Sequence, residues 1–138
     1  VERSAFNFIL IRYAEVLLTY AEAQNEASGP DQSVYDAINQ LRRRPDINMP
    51  EVPKGLTKDQ MREVIRRERR IELTFEGLYY SDILRWKTAE KENNGMMHNY
   101  DGIEVVKRSF NPKRDYLWPI PYNQTVLNPN LEQNPNWN

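Results

Sequence analysis

Residues 65–77 read IRRERRIELTFEG. Most of these letters carry charge, yet Ile65, Ile71 and Phe75 keep helical spacing through them. On a helical wheel of residues 57–76, Met61, Val64, Ile65 and Phe75 define one apolar stripe, with Ile71 at its edge. Glu68 and Glu72 fall inside the stripe. Arg67 and Arg69 flank it, and Arg62, Arg66 and Arg70 lie away from it. Two glutamates one turn apart are thus aimed inward. Ionised carboxylates there need charged or hydrogen-bonding partners, or a shifted pKa. Arginine is the natural supply, because its planar fork pairs a carboxylate bidentately.

Three functions are open to such a segment: a buried ionic network, acid/base or glycosidase chemistry by paired carboxylates, and nucleic-acid binding by the arginines. Catalysis by two carboxylates needs them to face each other across a substrate, whereas successive helical turns set them side by side. Nucleic-acid binding calls for a basic excess, but the chain has 19 basic and 20 acidic residues, and Glu63, Glu68 and Glu72 interleave with the arginines. The ionic network is the expected role.

The helix that carries this stretch has a clear start. Thr57 and Gln60 are spaced as an N-cap and N3 capping box, and Leu56 and Met61 as the accompanying hydrophobic staple. Gly77 allows a bend, after which Leu78–Trp86 promises a further amphipathic turn or two. Upstream, apolar residues from Phe8 to Ala27 keep helical spacing until Ser28-Gly29-Pro30 stops them. A second helix is predicted from Ser33 to Arg43, ending before Pro45. Two helices joined by a short turn form the unit of tetratricopeptide-type solenoids, and such a unit needs neighbours to cover its faces. Residues 45–56, with three prolines and Gly55, read as a loop.

With 138 residues the chain suits one domain able to bury roughly two thirds of its unfolded surface. Zero cysteines exclude disulfides, thiol catalysis and Cys-ligated zinc. No apolar run approaches the ~18 residues a membrane span needs. The chain begins at Val1, so it reads as part of something longer, with any targeting signal outside it.

Several motifs together carry a resemblance. RRERRIELTFEG with LYYSDILRW resembles the signature of the SusD/RagB family. LIRYAEVLLTYAEAQNE with VYDAINQLRRR resembles that family's last tetratricopeptide-like helix pair, and GLTKDQMREVI the entry to its signature helix. YLWPIPYNQTVLNPNLEQNPNW closely resembles its C-terminal tail. Tyr79 stands where the family usually has Arg, and Asn136 where Gly is common. The resemblance implies a mainly α fold, with residues 7–44 a helical hairpin, 57–90 the signature helices and 91–138 a loop and extended tail. All belong to a single domain, 1–138, at the C-terminal end of a longer protein.

It also implies a role. Such proteins are non-catalytic outer-membrane lipoproteins, tethered outside by an N-terminal lipid. They bind glycan, or sometimes peptide, as a lid over a SusC-like TonB-dependent transporter, with no cofactor. Within the signature, Arg67, Glu68, Glu72, Glu76, Gly77, Asp82, Arg85 and Trp86 match the family and look like framework residues. Arg67, Glu68, Glu72 and Arg85 are expected to form a structural ion-pair network. A helical protein–protein interaction module without a sugar role is the alternative.

Few residues look like sugar contacts in their own right. Trp86 and Trp118 are expected to pack. Tyr100, in the polar loop 93–102, is the one candidate carbohydrate contact. His98, the lone histidine, has no companion at metal-ligand spacing, so no metal is expected. Two short strands are predicted at 103–107 and 115–118. Leu127, Leu131 and Trp137 are spaced as apolar anchors for a tail laid over the helices.

Overall fold

The structure, a computed structural model, describes residues 9–137. It is mainly α, with one two-stranded sheet. The chain divides into two compact units between Tyr79 and Tyr80.

The first unit is built on three helices, α1 (Tyr13–Ser28), α2 (Gln32–Arg42) and α3 (Lys58–Glu72). α1 starts later than the apolar pattern suggests. Arg12 is extended, at φ −118°, and Ile9–Ile11 lie ahead of the first turn; Phe8 is outside the described residues. Gly29, at φ 89°, donates its backbone N–H to Asn25 O and ends the helix. Asp31 then caps α2 by accepting from the Val34 N–H.

α2 and α3 both pack against α1. Ala21, Val34, Ile38, Met61 and Ile65 form the centre of one apolar cluster, and Ala14, Leu18, Leu41 and Leu73 form a second beside it. The proline-rich loop between α2 and α3 is pinned rather than loose. Val52 is buried and donates its N–H to the Asn39 side chain at 2.9 Å, while Leu56 N–H reaches the Tyr35 hydroxyl at 3.1 Å.

The start of α3 is the predicted one. Thr57 and Gln60 form both halves of the capping box, and Met61 is buried with Leu56 packed against the same cluster. Thr57→Ala removes one half of the box, so it is expected to cost about 1 kcal/mol in thermal or urea unfolding. No change would mean the helix start is held by packing alone.

The end of α3 differs from the prediction. The helix stops at Glu72, and the chain turns through 73–77. Thr74 Oγ1 donates back to Arg70 O and Ile71 O, a local bond that competes with helix continuation. Phe75 takes φ 67° and Gly77 φ 79°. Phe75 therefore leaves the apolar stripe and is fully exposed, at 103%; Ile71 is exposed as well.

The second unit carries α4 (Tyr79–Arg85, starting at the division), α5 (Ala89–Glu92), β1 (Gly95–His98), β2 (Glu104–Arg108) and α6 (Tyr122–Leu127). β1 and β2 are antiparallel, with Met97 opposite Val106 and an irregularity between Met97 and His98. The second strand is thus at 95–98, not at 115–118, which is a turn. Asn99 makes the hairpin by accepting the N–H groups of Asp101 and Ile103 on its side-chain oxygen. Asn94 closes the other end, bonding both the N–H and the carbonyl of Phe110.

The tail contains a helical turn and a half and then folds back on residues 113–120. Asn134 Nδ2 donates to Trp118 O, Trp137 Nε1 to Leu117 O, Asn136 Nδ2 to Lys113 O, and Gln133 brackets Ile120. Leu127 and Leu131 are exposed, so polar side chains bonding to backbone hold the tail within its unit, in place of the expected apolar anchors. Asn136, where Gly is common, has φ 64°, a conformation that Asn tolerates better than most residues.

Candidate functional site

The inward glutamates come first, because paired carboxylates are the one constellation here with catalytic possibilities. Glu68 and Glu72 side chains are 11% and 15% exposed. Glu68 is ion-paired with Arg42, whose Nη1 also donates to Pro50 O at 3.0 Å, joining α2, the loop and α3. Glu72 holds two arginines, one on each oxygen. Arg12 Nη1 lies 2.6 Å from Oε1 and Arg44 Nη2 lies 2.7 Å from Oε2. Arg12 extends the cluster, donating its Nε to both oxygens of Glu76 at 2.8 and 3.0 Å. Arg69 is buried as well and donates to the Thr19 hydroxyl at 3.0 Å.

The partners are not those nominated from the sequence. Arg67 is exposed and makes no ion pair among the described residues. Arg85 pairs with the buried Asp82, Nη2 to Oδ1 at 2.8 Å, and stacks over Trp86 at 4.9 Å. Arg12, Arg42 and Arg44 sit 60, 26 and 28 residues from the glutamates they bind. A wheel drawn on one helix has no access to such partners. The available signal was the run LRRRP at the end of α2, of whose three arginines only Arg43 is answered locally, by Glu51.

These pairs have a pH signature. The Arg12 guanidinium holds the Glu76 carboxyl below its usual range, and Arg62 does the same to Glu26, 2.5 Å away. A carboxyl whose pKa falls on folding contributes stability above its unfolded pKa, and that contribution disappears as pH drops through the folded value. The urea midpoint is expected to be flat down to about pH 5 and to fall below about pH 4. Glu76→Gln should flatten part of that fall. An unchanged acid limb in both Glu76→Gln and Glu26→Gln contradicts the assignment.

Among the described residues, no group of three or more His, Cys, Asp or Glu side chains is placed to hold a metal ion. His98 lies on β1, exposed.

For sugar contacts the structure offers two places. Tyr100 stands at the hairpin tip, 97% exposed. A cleft of about 240 Å³ in the second unit is better furnished; Tyr80, Asn93, Arg114, Asp115, Trp118 and Trp137 line it. Trp118 is 70% exposed, against the expectation that it packs, and meets Tyr80 edge to face at 6.2 Å. Arg114 lies over the Trp137 ring at 4.5 Å and is tied to Asp115 at 2.6 Å. Asp115 also accepts the Asn111 N–H, and Arg114 with that bond holds its carboxyl below the usual range. Exposed indole faces beside fixed donors and acceptors suit the C–H face and hydroxyls of a pyranose. The cleft is nevertheless smaller than the roughly 300 Å³ from which enclosing ligand pockets start.

Comparison with known proteins gives a consistent result. The model of the SusD family matches residues 1–137. SusD-like protein P2 of Formosa agariphila is 37% identical over 95% of this chain, and SusD-like protein P38 of the same organism is 31% identical over 93%. The chain spans about a quarter of the length of these relatives, 26% and 24%. Among solved structures, a SusD-like carbohydrate binding protein from Bacteroides fragilis superposes with a TM-score of 0.79. It shares 38% identity, over 88% of this chain and 28% of its own. A SusD homologue from Bacteroides thetaiotaomicron gives 0.75 at 32% identity, over 99% of this chain and 30% of its own.

Proposed function

The chain belongs to the SusD family, and on that premise we propose that it is the C-terminal portion of a non-catalytic protein that binds carbohydrate for nutrient uptake. The likeness to the Bacteroides fragilis protein described as carbohydrate binding carries this reading. In its full form the protein is a lipoprotein on the outer membrane surface. It delivers oligosaccharide to a SusC-like TonB-dependent transporter. Among the described residues no helix is long and apolar enough to cross a membrane.

Within that protein this chain is mainly scaffold. The arginine pairs on Glu68 and Glu72 support the framework role, because each carboxylate has its charge answered by a guanidinium and neither faces a second carboxylate across an open cleft. The ligand contacts proposed for this chain are Tyr100 and the small Trp118 cleft.

Calorimetry of the whole protein against a panel of oligosaccharides tests the reading. Binding of at least one glycan is expected. Affinity lowered about tenfold, 1.4 kcal/mol, by Trp118→Ala or Tyr100→Ala would bring that aromatic into the site. Silence across diverse glycans, with tight binding to a protein partner, would favour a helical interaction module, the reading that the exposed apolar residues of α1 recommend. Glycan turnover that vanishes in Glu68→Gln would contradict the non-catalytic assignment.

A further inference from the structure

The Trp118 cleft carries one cation and one anion in its lining, Arg114 and Asp115, and the two pair with each other at 2.6 Å. Arg114 makes that pair through Nε, end on, and lies over the Trp137 ring at 4.5 Å from its centroid. Its two Nη groups bond no acceptor among the described residues, and its side chain is 41% exposed. Asp115 is more covered. One oxygen takes Arg114 and the other the Asn111 N–H at 2.7 Å, which leaves each oxygen a further lone pair. Among the described residues that line the cleft there is no second cation.

We propose that this cleft selects neutral pyranose residues over the matching uronates, an inference that rests on the carbohydrate-binding reading. A hydroxyl both donates and accepts, so neighbouring hydroxyls on a neutral ring serve both partners at once, one accepting from an Arg114 Nη and the next donating to Asp115. A carboxylate only accepts. Brought to Arg114, it stands beside Asp115, whose charge already answers the guanidinium, and like charges at that range repel. The indoles add to the bias, because an aromatic face is the negative side of the ring quadrupole. Trp118, exposed beside Tyr80, gives the C–H face of the sugar its platform. It does so for either ring, and the Arg114–Asp115 pair makes the distinction.

The test uses the full natural polypeptide carrying 5-fluorotryptophan, with the Trp118 fluorine signal assigned by its loss in Trp118→Phe. The probes are the methyl glycosides of glucose, galactose and mannose, each titrated near neutral pH against its own C6 uronate. At least one neutral glycoside is expected to shift the Trp118 signal saturably, with its uronate binding about tenfold more weakly. Asp115→Asn removes the opposing charge while keeping an acceptor, so the gap should shrink to about threefold or less. Uronate binding equal to or tighter than the neutral partner, a gap unchanged in Asp115→Asn, or no shift with any of the glycosides would each overturn the inference. Calorimetry of the same protein with oligosaccharides is read separately. A silent Trp118 signal beside positive calorimetry fails the cleft alone, and the carbohydrate-binding reading stands.

Discussion

Glu72→Ala is expected to lower the free energy of unfolding by about 1–3 kcal/mol, because a largely covered carboxylate is lost while its partners, 29% and 41% exposed, keep access to water. The carboxylate takes Arg12 on one oxygen and Arg44 on the other, tying the chain just ahead of α1 and just after α2 to the end of α3. Arg12 keeps Glu76 when Glu72 is removed, so Arg44 loses most. Glu68→Ala is expected to cost more, about 3–5 kcal/mol, since Arg42 loses its carboxylate while remaining largely covered, at 16% exposed. Against a typical total of about 5–15 kcal/mol, either change removes a large fraction of the stability. Equilibrium urea unfolding measures it. A loss under about 0.5 kcal/mol would mean these side chains behave as ordinary surface pairs.

Ile38→Ala carries the second large effect. Ile38 is fully buried, on the inner face of α2, in the cluster that Ala21 of α1 and Met61 and Ile65 of α3 complete. Truncation removes three methyl or methylene groups and leaves a cavity that three helices would have to collapse together. The expected cost is about 2–5 kcal/mol, again by urea unfolding. The matching control is Ile71→Ala, on an exposed isoleucine of α3, expected to change stability by less than about 0.5 kcal/mol. Equal effects at the two positions would contradict the placement of the core.

The contrast between Ile38 and Ile71 shows what could be read from the sequence. The signals that survive are local. Thr57 and Gln60 cap each other three residues apart, Gly29 ends α1 at its own position, and the family motifs order the helices. The inward tilt of Glu68 and Glu72 also follows from the wheel, since it needs only the period of one helix. What the wheel assigned to Phe75 fails because the helix ends at Glu72. From there on, 100° per residue no longer describes the chain, and a residue at φ 67° points elsewhere. The arginine partners were out of reach for a different reason: Arg12 and Arg44 meet Glu72 only after α1, α2 and α3 have packed. β1 was missed because both strands are exposed on both faces, which removes the alternation a half-buried strand shows. The Asp101-Gly102 pair at the turn was the local hairpin cue. Trp118 was expected to pack because large aromatics usually do, and it lines a cleft instead.

The scaffold role of the two glutamates is tested most directly by a double-mutant cycle on Arg42 and Glu68, using Arg42→Met, Glu68→Gln and the pair together. A coupling of about 1–3 kcal/mol in favour of the ion pair is predicted, with the double variant less damaged than the sum of the singles. Additive losses, with coupling under about 0.3 kcal/mol, would contradict it.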